Sequence, residues 1–189
     1  GFCAAFADGA NPARIDRAPP AKSQMRGVVD VVIAAHDAAK YVHEAIDSVV
    51  RQTSPVRRII VVDDGSTDGT AEIARAFGPP VLVVFQPNRG AASARNAGIA
   101  QSDAALIAFL DADDRWLPQR IDQGVRHLSQ NPALGFGCSR LRTFPSPELP
   151  ADEQRALRAA NAEYVDGWLT SALIVRRSAL VSIGAFAED

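Results

Sequence analysis

Four short apolar runs, each followed by a polar cluster and then by a stretch of helical spacing, constrain this chain more than any other feature. They are Val28 to Ala34, Arg58 to Val62, Val81 to Phe85 and Leu106 to Leu110. Aliphatic and β-branched residues fill them, and each has the length of a strand buried on both faces. After the first run, Val42, Ala45, Ile46, Val49 and Val50 form a helical stripe that Thr53-Ser54-Pro55 ends. Ala71 to Phe77, closed by Gly78-Pro79-Pro80, and the alanine-rich Ala91 to Ile99 supply two more helices. Strands alternating with helices in this way predict βαβ units and a parallel sheet covered on both faces. Right-handed crossovers then bring the carboxyl ends of the strands to one edge, where open α/β sheets bind their ligands.

The segments arriving at that edge are His36-Asp37, Asp63-Asp64-Gly65-Ser66, Asn88-Arg89-Gly90 and Asp111-Ala112-Asp113-Asp114. All are polar and three carry acids, so an acidic crevice is expected. If strand geometry persists past Leu110, Asp111 and Asp113 point the same way. Two such charges ~4 Å apart at an effective dielectric near 20 repel by about 4 kcal/mol. A divalent cation turns that cost into attraction. The plain alternative for an isolated D-x-D is a solvated turn or a helix cap. A calcium loop starting at Asp64 is a further alternative, but its twelfth position is Arg75 rather than Glu, and a strand precedes it.

The remainder of the 189 residues is less regular. Leu117, Ile121, Val125 and Leu128 form another helical stripe, with Pro118 in its first turn. Leu134 to Cys138 reads as a fifth strand, Thr143 to Pro150 as a loop, and Ala151 to Ala162 as a helix with a poor apolar face. Trp168 to Val175 reads as a strand, and Arg177 to Ile183 as a short helix ending at Gly184. Residues 1–27 show no period and are expected to form a disordered or poorly packed leader, with Met25 just before the first strand. Residues 28–189 then make one domain, which stops in mid-pattern at Asp189 and reads as truncated.

The net charge of -2 gives no basic footprint for nucleic acid and no polybasic patch for anionic lipid. Cys3 and Cys138 match no metal or redox spacing and are expected to be reduced, in keeping with a cytoplasmic setting. No run approaches the ~20 apolar residues of a membrane helix. Peripheral attachment at the inner face of a membrane stays compatible with the chain.

Four pieces together resemble the family-2 glycosyltransferases of the GT-A fold. They are Val31-Val32-Ile33, Val61-Val62-Asp63-Asp64-Gly65-Ser66-Thr67-Asp68, Asn88-Arg89-Gly90 with Ala94-Arg95-Asn96-Ala97-Gly98, and Phe109-Leu110-Asp111-Ala112-Asp113-Asp114 with Trp116-Leu117-Pro118. The resemblance implies a Rossmann-like three-layer α/β/α sandwich with a mostly parallel sheet. It also implies inverting transfer of a sugar from a UDP- or GDP-type donor to an acceptor hydroxyl on a glycan, a lipid-linked sugar or a protein, as in cell-envelope polysaccharide synthesis. By the same likeness Asp113 contacts Mn2+ or Mg2+ directly, Asp111 holds the ribose or the metal, and Asp64 faces the base of the donor. The imide N–H of uracil or the N1–H of guanine needs such an acceptor. The alternative is that Asp63 and Asp64 cap the following helix.

Ala34 and His36 fall where the family contacts the base, although Ala34-Ala35-His36-Asp37 departs from its usual Pro or Thr, Tyr and Asn. Gly90 and Arg95 would border the donor, with Arg95 equally suited to a structural ion pair. Inverting transfer needs a carboxylate base. Gly184-Ala185-Phe186-Ala187-Glu188 resembles the family's Gly-Gly-Phe-Asp-Glu stretch, which precedes that base, so the base is expected beyond Asp189. Two other functions compete. One is a non-catalytic nucleotide-sugar-binding remnant. The other is a dinucleotide oxidoreductase, which the lack of G-x-G-x-x-G after Ala34 disfavours.

Overall fold

The computed structural model describes residues 28–142, 144–146, 148–160, 165–166 and 169–188. The expectations for residues 1–27, with Cys3 and Met25, and for Thr143, Trp168 and Asp189 lie outside these residues. Strands β1 (Val29–Ala35), β2 (Arg58–Asp64), β3 (Val81–Gln86) and β4 (Leu106–Asp111) alternate with helices α1 (Val42–Val50), α2 (Thr70–Arg75) and α3 (Ala91–Ala100). After them come α4 (Arg120–Gln130), β5 (Phe136–Cys138), β6 (Arg140–Leu141), α5 (Ala151–Ala160), β7 (Val165–Asp166), β8 (Leu173–Arg176) and α6 (Arg177–Ile183). The main sheet has the order β3-β2-β1-β4-β8-β5. Its first four strands are parallel, and β8 runs antiparallel to both β4 and β5. β6 and β7 form a separate two-stranded pair.

The near-continuous apolar strands are explained by two cores, one on each face of the sheet. Val29, Val31 and Ile33 of β1, with Ile59, Val61, Ala108 and Leu110, pack against Val42, Ile46 and Val49 of α1, Ala74 of α2, and Ile121, Val125 and Leu128 of α4. The intervening residues Val32, Ile60, Val62, Ile107 and Phe109 face Ala94 of α3 and Leu180 of α6. Successive side chains of a strand point to opposite faces, so each run must be apolar throughout. Three layers result. Helix α3 lies so near the sheet that a Cβ on Gly98 would meet Val32 Cγ1 at 2.4 Å. Its run of alanine and glycine is what permits that approach.

Asp30 is the one acid inside β1, and it is fully buried. Arg57 Nε and Nη2 donate to it at 2.9 and 2.6 Å, and Ser102 Oγ at 2.8 Å. This satisfied charge sits near the amino ends of the strands, away from the ligand edge, and needs no functional explanation.

The structure corrects several local expectations. Val50 is 52% exposed and lies off the buried stripe of α1. Leu117 is 60% exposed and precedes α4, whose first residue is Arg120; Trp116 takes the buried place instead. Thr170–Ala172 is a 3-10 turn rather than strand, and β8 starts only at Leu173. The strand expected from Leu134 shortens to Phe136–Cys138, while β2 runs on through Asp63 and Asp64.

Candidate functional site at the carboxyl edge of the sheet

The carboxyl ends of β1 and β4 and the start of α3 enclose a cleft of about 320 Å³. Ala34, His36, Asp37, Arg95, Asp111 and Asp113 all line it. Three acids thus share one crevice, as the post-strand segments predict, with an arginine among them.

Strand geometry does not persist through the D-x-D. Asp111 ends β4, and the Asp114 N–H returns to the Asp111 carbonyl at 3.0 Å, closing a four-residue turn. The turn, rather than pleat alternation, brings Asp111 and Asp113 to the same cleft. Arg95 Nη2 donates to Asp111 Oδ1 at 2.6 Å, with the Arg95 side chain only 16% exposed. The Arg95 guanidinium also lies 5.6 Å from the Phe186 ring centroid. Asp113 is exposed and takes part in no hydrogen bond or ion pair among the described residues. Asp114 is half-buried; burial pushes its carboxyl up, the Ser171 hydroxyl works against that, and the charges of Asp113 and Asp111 add to the rise.

Asp64 does not line the cleft directly. It is 3% exposed, and its oxygens accept Gln86 Nε2 at 2.7 Å, the Arg89 N–H at 2.9 Å and the Gly90 N–H at 2.8 Å. Neither Asp63 nor Asp64 caps α2, which starts after Gly69 with no side-chain cap; Asp63 accepts the Ser66 N–H instead. Asp64 therefore fixes the loop that carries Gly90, whose φ of 87° suits glycine. His36 Nδ1 lies 2.8 Å from the Asp64 carbonyl and its Nε2 3.1 Å from Asn88 Nδ2. A donating Nδ1–H and an accepting Nε2 satisfy both contacts, so the ring is pinned at the cleft with its side chain 44% exposed.

The β1–α1 and β2–α2 connections are stitched together. The Asp37 N–H donates to Ser66 Oγ at 3.0 Å, while Asp37 Oδ1 accepts the Thr67 N–H at 2.8 Å. Asp68 accepts the Ala39 N–H at 2.9 Å and Thr70 Oγ1 at 2.6 Å. These bonds, Thr70 Oγ1 foremost, hold the Asp68 carboxyl below its ordinary range.

Two contributors escape a reading by motif. Ser171, in the 3-10 turn, contacts the D-x-D turn from sixty positions away. Asn96 clamps the segment after α6, donating to the Phe186 carbonyl at 2.8 Å and accepting its N–H at 3.0 Å. Asn96 lies in a recognised motif, which signals its importance but not its partner. Nothing in the spacing signals Ser171.

Asp111 and Asp113 supply hard oxygen donors on one cleft. Among the described residues no group of three or more His, Cys, Asp or Glu could close around a metal unaided. Two carboxylates are a donor set that fits a hard divalent cation such as Mg2+, whose other positions are commonly filled by substrate phosphates and water. A second cleft, of about 420 Å³, lies beside α1. Its acids are already engaged, Glu44 with Arg115 and Asp47 with Arg51.

The three-layer arrangement around a mostly parallel sheet matches the GT-A fold of solved glycosyltransferases. A mannosyltransferase from Pyrobaculum calidifontis, solved with GDP-Man and Mn2+, superposes with a TM-score of 0.65 at 24% identity, over 87% of this chain and 48% of that one. S. aureus TarS, solved with UDP, gives 0.66 at 20% identity, over 85% and 50%. Residues 30–175 match the family model for glycosyl transferase family 2, and the chain belongs to that family. It is 34% identical over 111 residues to an uncharacterized glycosyltransferase of Nostoc sp., covering 57% of this chain and 34% of the relative. Glycosyltransferase AglE of Haloferax volcanii is 36% identical over 130 residues (66% and 43%). The succinoglycan biosynthesis protein ExoO of Rhizobium meliloti is 36% identical over 160 residues (79% and 44%). The chain spans about a third to a half of the length of these relatives and solved structures.

Proposed function

We propose that residues 28–189 form a donor-binding domain that takes a UDP- or GDP-type nucleotide sugar with Mn2+ or Mg2+ and transfers the sugar, with inversion, to an acceptor hydroxyl of a glycan, lipid-linked sugar or protein. The observation that carries this is the meeting of Asp111, Asp113 and Arg95 in one cleft beside Ala91, the first residue of α3. Free N–H groups and the positive end of the helix dipole favour a diphosphate there. The α3 N-terminus has no side-chain cap competing for those donors.

Asp113, and Asp111 through whichever oxygen Arg95 leaves free, would hold the cation. When bound, it neutralises charge on the departing diphosphate as a Lewis acid. Arg95 is placed to exchange its carboxylate partner for a phosphate. Ala34 and His36, both lining the cleft, offer a wall to the nucleoside, and Asp64 shapes the Gly90 loop beside it. The mannosyltransferase solved with GDP-Man and Mn2+, and TarS solved with UDP-GlcNAc, support the assignment by likeness of fold. No helix among the described residues is long and apolar enough to cross a membrane.

Glu188 makes a poor general base. It accepts from Asn96 and pairs with Arg89, and its hydrogen bonds, with Asn96 first, hold its carboxyl below the ordinary range. That observation keeps a second reading in play, a nucleotide-sugar-binding domain that does not turn over. Titration with UDP and GDP, with and without Mn2+, tests donor binding: at a hundredfold excess over Kd a ligand adds about 2.7 kcal/mol of stability. Absence of any Mn2+-dependent stabilisation by either nucleotide would overturn the assignment. Donor binding without hydrolysis or transfer would select the second reading.

A further inference from the structure

The turn that carries Asp111 and Asp113 is held by one hydroxyl. Ser171 Oγ accepts the Asp111 N–H at 2.9 Å. The Asp114 N–H bonds the Asp111 carbonyl, so Ser171 holds the residue at which the turn begins.

Ser171 is itself anchored at unusual expense. Trp116 Nε1 donates to the Ser171 carbonyl at 2.9 Å, and Arg120 Nη2 donates to the Ala172 carbonyl at 2.6 Å. Arg120 is 7% exposed, its Nε lacks an acceptor, and no carboxylate faces it among the described residues. It occupies the first turn of α4, the positive end of the helix dipole. Its guanidinium lies 5.3 Å from the Trp116 ring centroid, but burying a cation with no carboxylate partner is costly all the same. Its place in the fold is explained by what it fixes, the backbone immediately after Ser171.

We propose that Ser171 is the positioning residue of the metal–nucleotide site, setting the D-x-D turn so that Asp111 and Asp113 face one cation. The inference rests on the site reading given above. Groups that orient metal ligands through a hydrogen bond are typically worth about 10- to 100-fold in metal affinity.

The test compares wild type with S171A, S171C and S171T by calorimetric titration of UDP and GDP, in Mn2+ and in EDTA. Thermal melts and near-UV circular dichroism monitor the fold. S171A and S171C should weaken nucleotide affinity in Mn2+ by about tenfold or more, while affinity in EDTA stays within about twofold. S171T keeps the hydroxyl and should bind as wild type does. Should S171A fail to fold, S171C preserves the side-chain volume and decides the matter. Unchanged Mn2+-dependent affinity in either folded variant, an equal loss with and without Mn2+, or a loss in S171T would overturn the proposal. A wild type with no Mn2+-dependent binding removes the site reading and this inference with it; a wild type that has it, matched by S171A, removes this inference alone.

Discussion

Arg95 and Asp111, on α3 and at the end of β4, form an ion pair of 2.6 Å within the cleft. The guanidinium neutralises one acid of the D-x-D and so offsets the repulsion between two carboxylates that share a crevice. Asp113, by contrast, has no such neutraliser. Its substitution by Asn should abolish the Mn2+-dependent part of nucleotide binding while changing stability by less than about 0.5 kcal/mol, since an exposed residue without partners contributes little. Calorimetric titration in Mn2+ and EDTA, alongside a urea melt, checks both halves.

Asp64→Ala should act differently, weakening nucleotide binding even in EDTA. Gln86 Nε2 and the Arg89 N–H lose their acceptor, and the Gly90 N–H keeps only Asn88 Oδ1 at 3.3 Å. A buried donor left unsatisfied costs about 1–3 kcal/mol, and less where, as at Arg89 and Gly90, the residue is exposed. A fall in urea midpoint together with weaker UDP and GDP binding in EDTA is expected; indifference of both would remove Asp64 from the site.

Gly98→Ala tests the seat of α3. The added methyl would sit 2.4 Å from Val32 Cγ1, inside a packed layer with no room to yield. Overpacking of this kind costs about 1–3 kcal/mol. Chemical denaturation should register the loss, and nucleotide affinity should fall with it because Arg95 rides on the same helix.

Acid stability should carry the mark of Asp68. Its carboxyl is held below the ordinary value of 3.8, chiefly by Thr70 and the Ala39 N–H. A depressed folded-state value means that the unfolded chain binds the proton more readily. The stabilisation is therefore present above the ordinary Asp range and is lost as pH falls through the lower folded value. Melting temperatures followed downward from about pH 5 should drop more steeply for wild type than for Asp68→Asn. Parallel curves would exclude this linkage.

The alternation of apolar runs and helical stripes determined the four parallel strands of the sheet, because burial on both faces leaves the middles of β1, β2 and β4 apolar, with the satisfied Asp30 near one end and the other acids at the carboxyl edge. The acids at the strand ends determined the edge at which the acidic cleft opens. These are local facts, set by period and chemistry. Tertiary structure alone decided that β8 runs antiparallel beside β4, which brings Ser171 under the Asp111 turn, and that Arg95 of α3 pairs with Asp111. Hydrogen bonds spanning sixty positions depend on strand order and on how close a helix can approach the sheet, and neither quantity is written in the spacing of the residues that make them.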